Sequence, residues 1–161
     1  MHNKAQAAFE FLSTYGWALL VILIMIGALA YFGILNPGKV LPNRCYFGPE
    51  FSCVDHQINT DGFKLKLRNS IGSSVNIVNF TLSTESSVPF ECLSNKSSLS
   101  LQNWRSGDLR DVFFTQCNSV ASGILPGSKA KINIGIRYYE ITSGVEYSKV
   151  IEGEIFSNVI D

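Results

Sequence analysis

The sequence has few histidines and lacks the short motifs on which catalytic and metal sites usually depend. It contains only two histidines, His2 and His56, and none of its four cysteines forms a C-x-x-C pair. It has no G-x-S-x-G nucleophile motif, no calcium loop of the D-x-D-x-D-G type and no glycine loop that would cradle a phosphate. His56 follows Asp55, which we interpret as a surface pair. The sequence therefore predicts no catalytic site, no metal site and no cofactor.

The chain also lacks an excess of either charge. Lysine plus arginine and aspartate plus glutamate each number 13. Lys4 and Glu10 are the only charged residues before Lys39, so the charges of the remaining chain balance as well. Domains that bind nucleic acid usually present a basic surface. The charge balance therefore predicts no nucleic-acid partner.

The dominant feature is a long run without any charge, from Phe11 to Leu35. Its most apolar part, Trp17 to Leu35, is 19 residues long, which is about the length that crosses the hydrocarbon core of a bilayer as a helix. Asn36-Pro37-Gly38 should end this helix because proline disfavours helical backbone in the residue before it. Since the run has no polar face, it suits lipid or a bundle of packed helices.

Two ordinary interpretations of this run stay open. Ala28-Leu29-Ala30 fits the cleavage site of a secretory signal peptide cut after Ala30. Against it, the apolar run continues through residues 31–35, and the polar region before the run contains the carboxylate Glu10. Alternatively, the run is a plain single-span anchor in which Glu10 simply reaches the lipid headgroups.

A third interpretation comes from the residues at the entrance. Lys4-Ala5-Gln6, then Glu10-Phe11, then the uncharged run resembles the class III signal peptide of archaeal type IV pilin-like proteins. The resemblance implies that a leader peptidase removes residues 1–5 by cutting between Ala5 and Gln6. Glu10 then becomes the fifth residue of the mature chain, where this family carries a glutamate. Archaellins typically lack that glutamate, so the resemblance favours the adhesion-pilin branch.

The resemblance also implies a function and a set of partners. The chain would be a structural filament subunit, inserted in the bilayer before assembly and later part of a cell-surface filament. Its partners would be copies of itself, the leader peptidase, and the pilus assembly ATPase with its membrane platform. The new ammonium group of Gln6 would face Glu10 of a neighbouring subunit, a pairing that fixes register more than it adds strength. The alternative function is a membrane-anchored extracellular binding module, such as a minor pilin or adhesin, that does not form the bulk of a filament.

The remaining residues predict β structure. Residues 63–69 alternate strictly, and residues 131–138 with 145–156 predict a long hairpin. Residues 75–82 predict a second strand, with either a bulge or burial on both faces. We expect residues 39–60 to be irregular, and short strands at 88–90, 111–114 and 120–125. The fold class is therefore α+β: a long N-terminal hydrophobic α-helix followed by one antiparallel β-sandwich or small barrel, the lollipop layout of pilins. The predicted segments are a leader (1–5), a helix (6–35), a disulfide-bearing connector (36–60) and a β domain (61–161).

All four cysteines follow the apolar run, which places them in one compartment and favours two disulfides over a metal site. Three pairings are open, and local closure favours Cys45 with Cys53 and Cys92 with Cys117. Asn79-Phe80-Thr81 and Asn95-Lys96-Ser97 are acceptor triplets for N-glycosylation. Asn79 lies inside a predicted strand, so it is the weaker candidate of the two.

Overall fold

The computed structural model describes residues 3–33, 41–94 and 101–161, and the chain divides into two compact units, Met1–Leu41 and Pro42–Asp161. The first unit contains one α-helix, α1 (Asn3–Tyr31). Among its described residues, the second contains eight β-strands, and a 3-10 helix at Val145–Tyr147. The strands are β1 (Arg44–Tyr46), β2 (Phe51–Asn59), β3 (Gly62–Asn69), β4 (Val75–Thr84), β5 (Leu93–Ser94), β6 (Leu109–Thr115), β7 (Lys129–Glu140) and β8 (Lys149–Ile160).

Helix α1 begins and ends earlier than predicted. It is 29 residues long, which corresponds to about 43 Å at 1.5 Å per residue. The sequence predicted that it would continue to Leu35, whereas it ends at Tyr31. Gly33 explains the difference: it has a φ of 69°, and its N–H donates to the carbonyl of Ala30. A glycine in the left-handed conformation is a common way to end a helix. Asn36-Pro37-Gly38, the predicted stop, lies outside the described residues.

The eight strands form one sheet that closes nearly into a barrel. Its order is β4-β7-β8-β2-β3-β6-β5, and β1, which lies off this path, also pairs with β8. Neighbouring strands are antiparallel except β2 and β8, which meet in parallel over two residue pairs, Ile58 with Val159 and Asn59 with Ile160. An isolated bridge between Val75 and Trp104 links β4 to the segment before β6. The α+β class is therefore confirmed, with a sheet that is mixed where β2 meets β8.

The prediction that residues 39–60 are irregular is wrong for the described part of that segment. It holds β1 and the nine-residue strand β2, which pairs with β3 along its length. The β2 ladder has a register shift between Cys53 and Asp55. Because this bulge breaks the period of two, Phe51 and Ile58 are both buried although an odd number of positions separates them. A search for alternating apolar and polar residues therefore does not detect β2.

Two other predicted strands are also wrong. Residues 88–90 are bend and coil, and residues 120–125 form turns in which Val120 is exposed and Ile124 is buried. Residues 111–114 do lie in a strand, β6. The return strand of the C-terminal hairpin begins at Lys149 because Val145–Tyr147 forms the 3-10 turn before it. Of the two alternatives for β4, the structure shows the bulge, as a register shift between Ile77 and Asn79.

The inward faces of the sheet enclose a core rich in aromatic rings. Phe51 contacts Trp104 and Tyr138, with ring centroids 5.2 and 5.5 Å apart. Phe63 and Phe114 stack with their centroids 4.2 Å apart. Such ring pairs contribute about 0.5–1.5 kcal/mol beyond the area that they bury. Unit Pro42–Asp161 therefore has a hydrophobic core of its own.

Candidate functional site

The first candidate site is the surface of α1. The span Phe9–Tyr31 is long and apolar enough to cross a membrane, with a mean hydropathy of 2.1, and no described side chain in it is buried. Large apolar side chains are exposed on every side of the helix, for example Trp17 at 69 %, Leu23 at 62 % and Ile24 at 62 %. A contiguous apolar surface of this size normally contacts lipid or another protein.

The predicted assembly residues all lie near the start of α1. Ala5 and Gln6 are in the first turns, and Glu10 follows Gln6 by four positions, which is about one helical turn. The Glu10 side chain is exposed, and Thr14 donates its hydroxyl hydrogen to the Glu10 carbonyl over 2.8 Å. Phe11 packs on Tyr15, with the ring centroids 4.6 Å apart. Glu10 thus lies at the boundary where the charged start of the helix becomes apolar.

Two glycines, Gly16 and Gly27, lie inside α1. Within the part of the chain that the structure describes, a Cβ atom built on either would meet nothing within 4 Å. Glycine in a helix interior costs about 0.5–1 kcal/mol relative to alanine. Close approach of a second helix is one arrangement that uses such positions.

The first disulfide joins Cys45 to Cys53, whose Cα atoms are 5.9 Å apart. Cys45 is in β1, which pairs with β8, and Cys53 is in β2, which pairs with β3. The disulfide therefore connects β1, a strand that pairs with β8, to β2, a strand that pairs with β3. It is one of the two pairings that local closure favours.

The second disulfide joins Cys92 to Cys117. It links the residue before β5 to a residue just after β6, two strands that pair at Leu93 with Thr115. Asn118 reinforces the same junction: its Nδ2 donates to the Pro89 carbonyl over 2.8 Å, and its Oδ1 accepts from the Glu91 N–H over 3.0 Å. Together these contacts hold the end of a 25-residue span against the sheet.

His56 lies beside the first disulfide. One ring nitrogen and the two sulfur atoms of Cys45 and Cys53 lie within 4.8 Å of one another. The sulfur atoms are bonded to each other in this structure, so they do not offer thiolates to a metal ion. The expected Asp–His pair takes another form, because the backbone N–H of His56 donates to Asp55 Oδ1 over 2.8 Å.

The two glycosylation triplets differ in what the structure describes. Asn79 is half-buried in β4, directly after the bulge, and is paired in register with Arg137 of β7. Thr81, the third residue of the triplet, is exposed. Asn95 lies outside the described residues.

Sequence reasoning did not single out the outward face of β4, β7 and β8. That face contains a groove with Gly135 at its centre. The available signal was the glycine itself, since a glycine in the interior of a strand often marks a close approach or a missing side chain. The residues around Gly135 come together only when four strands pair, and local sequence patterns do not predict that pairing.

Comparison of the chain with protein-family models, with curated proteins and with solved structures finds no match.

Proposed function

We propose that this protein is a structural subunit of a filament similar to archaeal type IV pili. One observation carries the proposal: the span Phe9–Tyr31 exposes apolar side chains on every side, and its one charged side chain is the carboxylate of Glu10 at its entrance. A helix of this kind is stable in lipid before assembly and can afterwards pack against identical helices. The β domain would then cover the outside of the filament and be exposed for adhesion or surface contact.

The residues before the span supply the processing step of this proposal. A leader peptidase cuts between Ala5 and Gln6, which leaves Gln6 with a free ammonium group about one helical turn from Glu10. An ionised carboxylate among packed apolar helices is costly unless a cation meets it. The ammonium group of Gln6 in a neighbouring subunit is such a cation. The pair would therefore select one stagger between adjacent helices.

The mature N-terminus is the sharpest test. Mass spectrometry of the protein in the membrane fraction should find a chain that begins at Gln6. A chain that begins at Met1 would contradict the processing step and leave a plain anchor, and one that begins at Tyr31 would indicate a secreted domain. Electron microscopy of sheared surface material should then show filaments that contain the protein. If the material is processed but no filaments are found, the filament role is wrong.

The second candidate function is an anchored binding module that remains a minor component. Two observations favour it: the β domain has its own core and two disulfides, and its outward face carries a polar groove. Quantification separates the candidates, because a main subunit accounts for most of the protein mass of a purified filament and a minor component does not.

A further inference from the structure

The outward face of strands β4, β7 and β8 carries an open groove of about 440 Å³. It crosses four strands, β4, β7, β8 and β1. Two of its lining residues are glycines and the others are mostly polar. The side chains that line it include Tyr46, Thr81, Ser83, Asn133, Glu152 and Glu154.

Strand register explains why the groove exists. Thr81, Gly135 and Glu152 form one row across β4, β7 and β8, and Gly135 at its centre has no side chain. The next row contains Ser83, Asn133, Glu154 and Tyr46 and forms a wall. The row with Gly135 is therefore a recess beside this wall. A Cβ atom built on Gly135 would overlap the Thr81 hydroxyl, which lies over the floor.

The two carboxylates of the groove, Glu152 and Glu154, differ in their ion-pair partners. Glu154 forms ion pairs with Arg44 over 2.7 Å and with Lys131 over 3.5 Å, so its charge is already matched and its position fixed. Glu152 is exposed, and within residues 3–33, 41–94 and 101–161 no hydrogen bond or ion pair joins its side chain to another residue. The same is true of the Asn133 side chain. The groove therefore offers one carboxylate without an ion-pair partner among the described residues, one amide, and the hydroxyls of Thr81, Ser83 and Tyr46.

This inventory excludes several classes of ligand. Anions are disfavoured because Glu152 carries an unmatched negative charge. A calcium ion takes six to eight oxygen ligands, and a single unpaired carboxylate with one amide does not supply them. An apolar ligand would cover Glu152 and Asn133 without pairing them, which is costly.

A neutral polyol satisfies all of these groups. Neighbouring hydroxyls of the polyol can donate hydrogen bonds to the two carboxylate oxygens of Glu152. The side-chain amide of Asn133 can both donate a hydrogen bond to the polyol and accept one from it. Tyr46, whose exposed fraction is 63 %, offers a flat apolar ring at the end of the groove. The C–H face of a sugar ring can pack on such a surface. We propose that this groove binds a neutral saccharide, which extends the adhesive part of the proposed function and rests on the display of the β domain outside the cell.

The test uses the full-length chain in lipid nanodiscs, because detergents with sugar headgroups would compete for the groove. The probes are the methyl glycosides of glucose, galactose, mannose and N-acetylglucosamine, measured by saturation-transfer difference NMR. We expect transfer to at least one of them, with protons of one sugar face saturated most strongly. No transfer to any of the four would overturn the proposal.

Matched variants locate the binding. Tyr46→Leu and Glu152→Gln should each lower the affinity about tenfold, since they remove the ring surface and the charged acceptor respectively. The controls Tyr147→Leu and Glu91→Gln change exposed residues of the same types outside the groove and should leave affinity unchanged. Equal losses in Tyr46→Leu and Tyr147→Leu would place the saccharide elsewhere and contradict the proposal. If Tyr46→Leu does not fold, the comparison of Glu152→Gln with Glu91→Gln decides.

This result is independent of filament formation. Saccharide binding is measured on single chains in a bilayer, whereas the filament role is tested by the mature N-terminus and by microscopy. A processed, filament-forming protein that binds none of the probes would overturn only the saccharide site. A protein that binds a probe but never assembles would favour the anchored binding module.

Discussion

Two glycines in neighbouring strands lie on opposite faces of the sheet and meet different neighbours. Gly153 of β8 faces inward, and a Cβ atom built on it would overlap the ring of Phe47, which is 1 % exposed. Gly135 of β7 faces outward, and the same atom would meet the hydroxyl of Thr81, an exposed side chain. The first glycine makes room for a core aromatic ring, and the second forms the floor of the groove.

Substitution by alanine should separate these two roles. Gly153→Ala forces Phe47 out of its position and should lower the free energy of unfolding by about 1–3 kcal/mol, as overpacking of a core typically does. Gly135→Ala needs only a rotation of Thr81, and alanine restricts the unfolded chain more than glycine does, so its net effect should be small. Chemical denaturation followed by the near-ultraviolet signal of the core aromatics measures both. Equal losses in the two variants would contradict this account of Gly153.

An ion pair at the end of the β7–β8 hairpin gives a pH-dependent contribution. Lys149 Nζ donates to Glu140 Oε1 over 2.8 Å, and the Ser73 hydroxyl donates to Glu140 Oε2 over 2.9 Å. The Lys149 hydrogen bond, followed by that of Ser73, lowers the pKa of Glu140 below its ordinary value of 4.5. The bond to Glu140 raises the pKa of Lys149 above 10.5.

The sign of the pH effect follows from these directions. Because the folded pKa of Glu140 is lowered, its contribution is present above pH 4.5 and is lost as pH falls through the lowered pKa. The contribution of Lys149 is fully present below pH 10.5 and is lost as pH rises through its raised pKa. Glu140→Gln should therefore lower the unfolding midpoint slightly at neutral pH and leave it unchanged in strong acid. Glu91→Gln, at an exposed carboxylate, is the control. A Glu140→Gln deficit that persists in strong acid would exclude the ion pair as its cause.

At the scale of elements, the two disulfides do different work. Cys92–Cys117 closes the longer loop, with a sequence separation of 25 against 8 for Cys45–Cys53. From loop-closure entropy alone, the disulfide should stabilise the folded state by about 3.5 kcal/mol for the longer loop and about 2.5 kcal/mol for the shorter. Cys45–Cys53 also joins β1, which pairs with β8, to β2, which pairs with β3. The loop-entropy estimate does not include this link between strands.

Paired replacement of the cysteines by serine measures these contributions. Loop entropy predicts a larger loss of stability for Cys92→Ser with Cys117→Ser. If Cys45→Ser with Cys53→Ser costs more, the tie between β1 and β2 contributes beyond chain entropy. Thermal unfolding under non-reducing conditions compares the two double variants with the parent chain. No loss in either variant would contradict a stabilising role for the disulfides.

What the sequence predicts about these elements depends on whether a local pattern survives in the fold. Strands β3, β7 and most of β8 keep strict alternation, so their positions are close to the predicted ones. Strand β2 was missed because its bulge shifts the buried positions, and β1 because three residues are too short for a pattern. The parallel contact of β2 with β8 and the groove at Gly135 depend on strands far apart in sequence. No local pattern contains that information.

At the scale of the whole molecule, a plain anchor and a filament subunit require the same helix until assembly begins. In both cases α1 carries only two charged residues, Lys4 and Glu10. Removal of the leader would also remove Lys4 and would leave Glu10 as the only charged side chain of the helix. In a plain anchor this carboxylate would only reach the lipid headgroups, whereas a bundle of helices could use it to set register.

Substitution of Glu10 therefore separates the two. Glu10→Gln keeps the size of the side chain and removes its charge, so processing and membrane insertion should be normal. In the proposed filament it would leave the ammonium group of a neighbouring Gln6 buried without its partner, at a cost of about 3–5 kcal/mol per contact, so filament yield should fall tenfold or more. Yield is measured by immunoblotting of sheared surface material against the membrane fraction, with Glu91→Gln as the control. Glu10→Asp, which keeps the charge on a shorter side chain, should recover part of the yield. Normal filaments from Glu10→Gln would show that apolar packing alone sets the stagger of the helices.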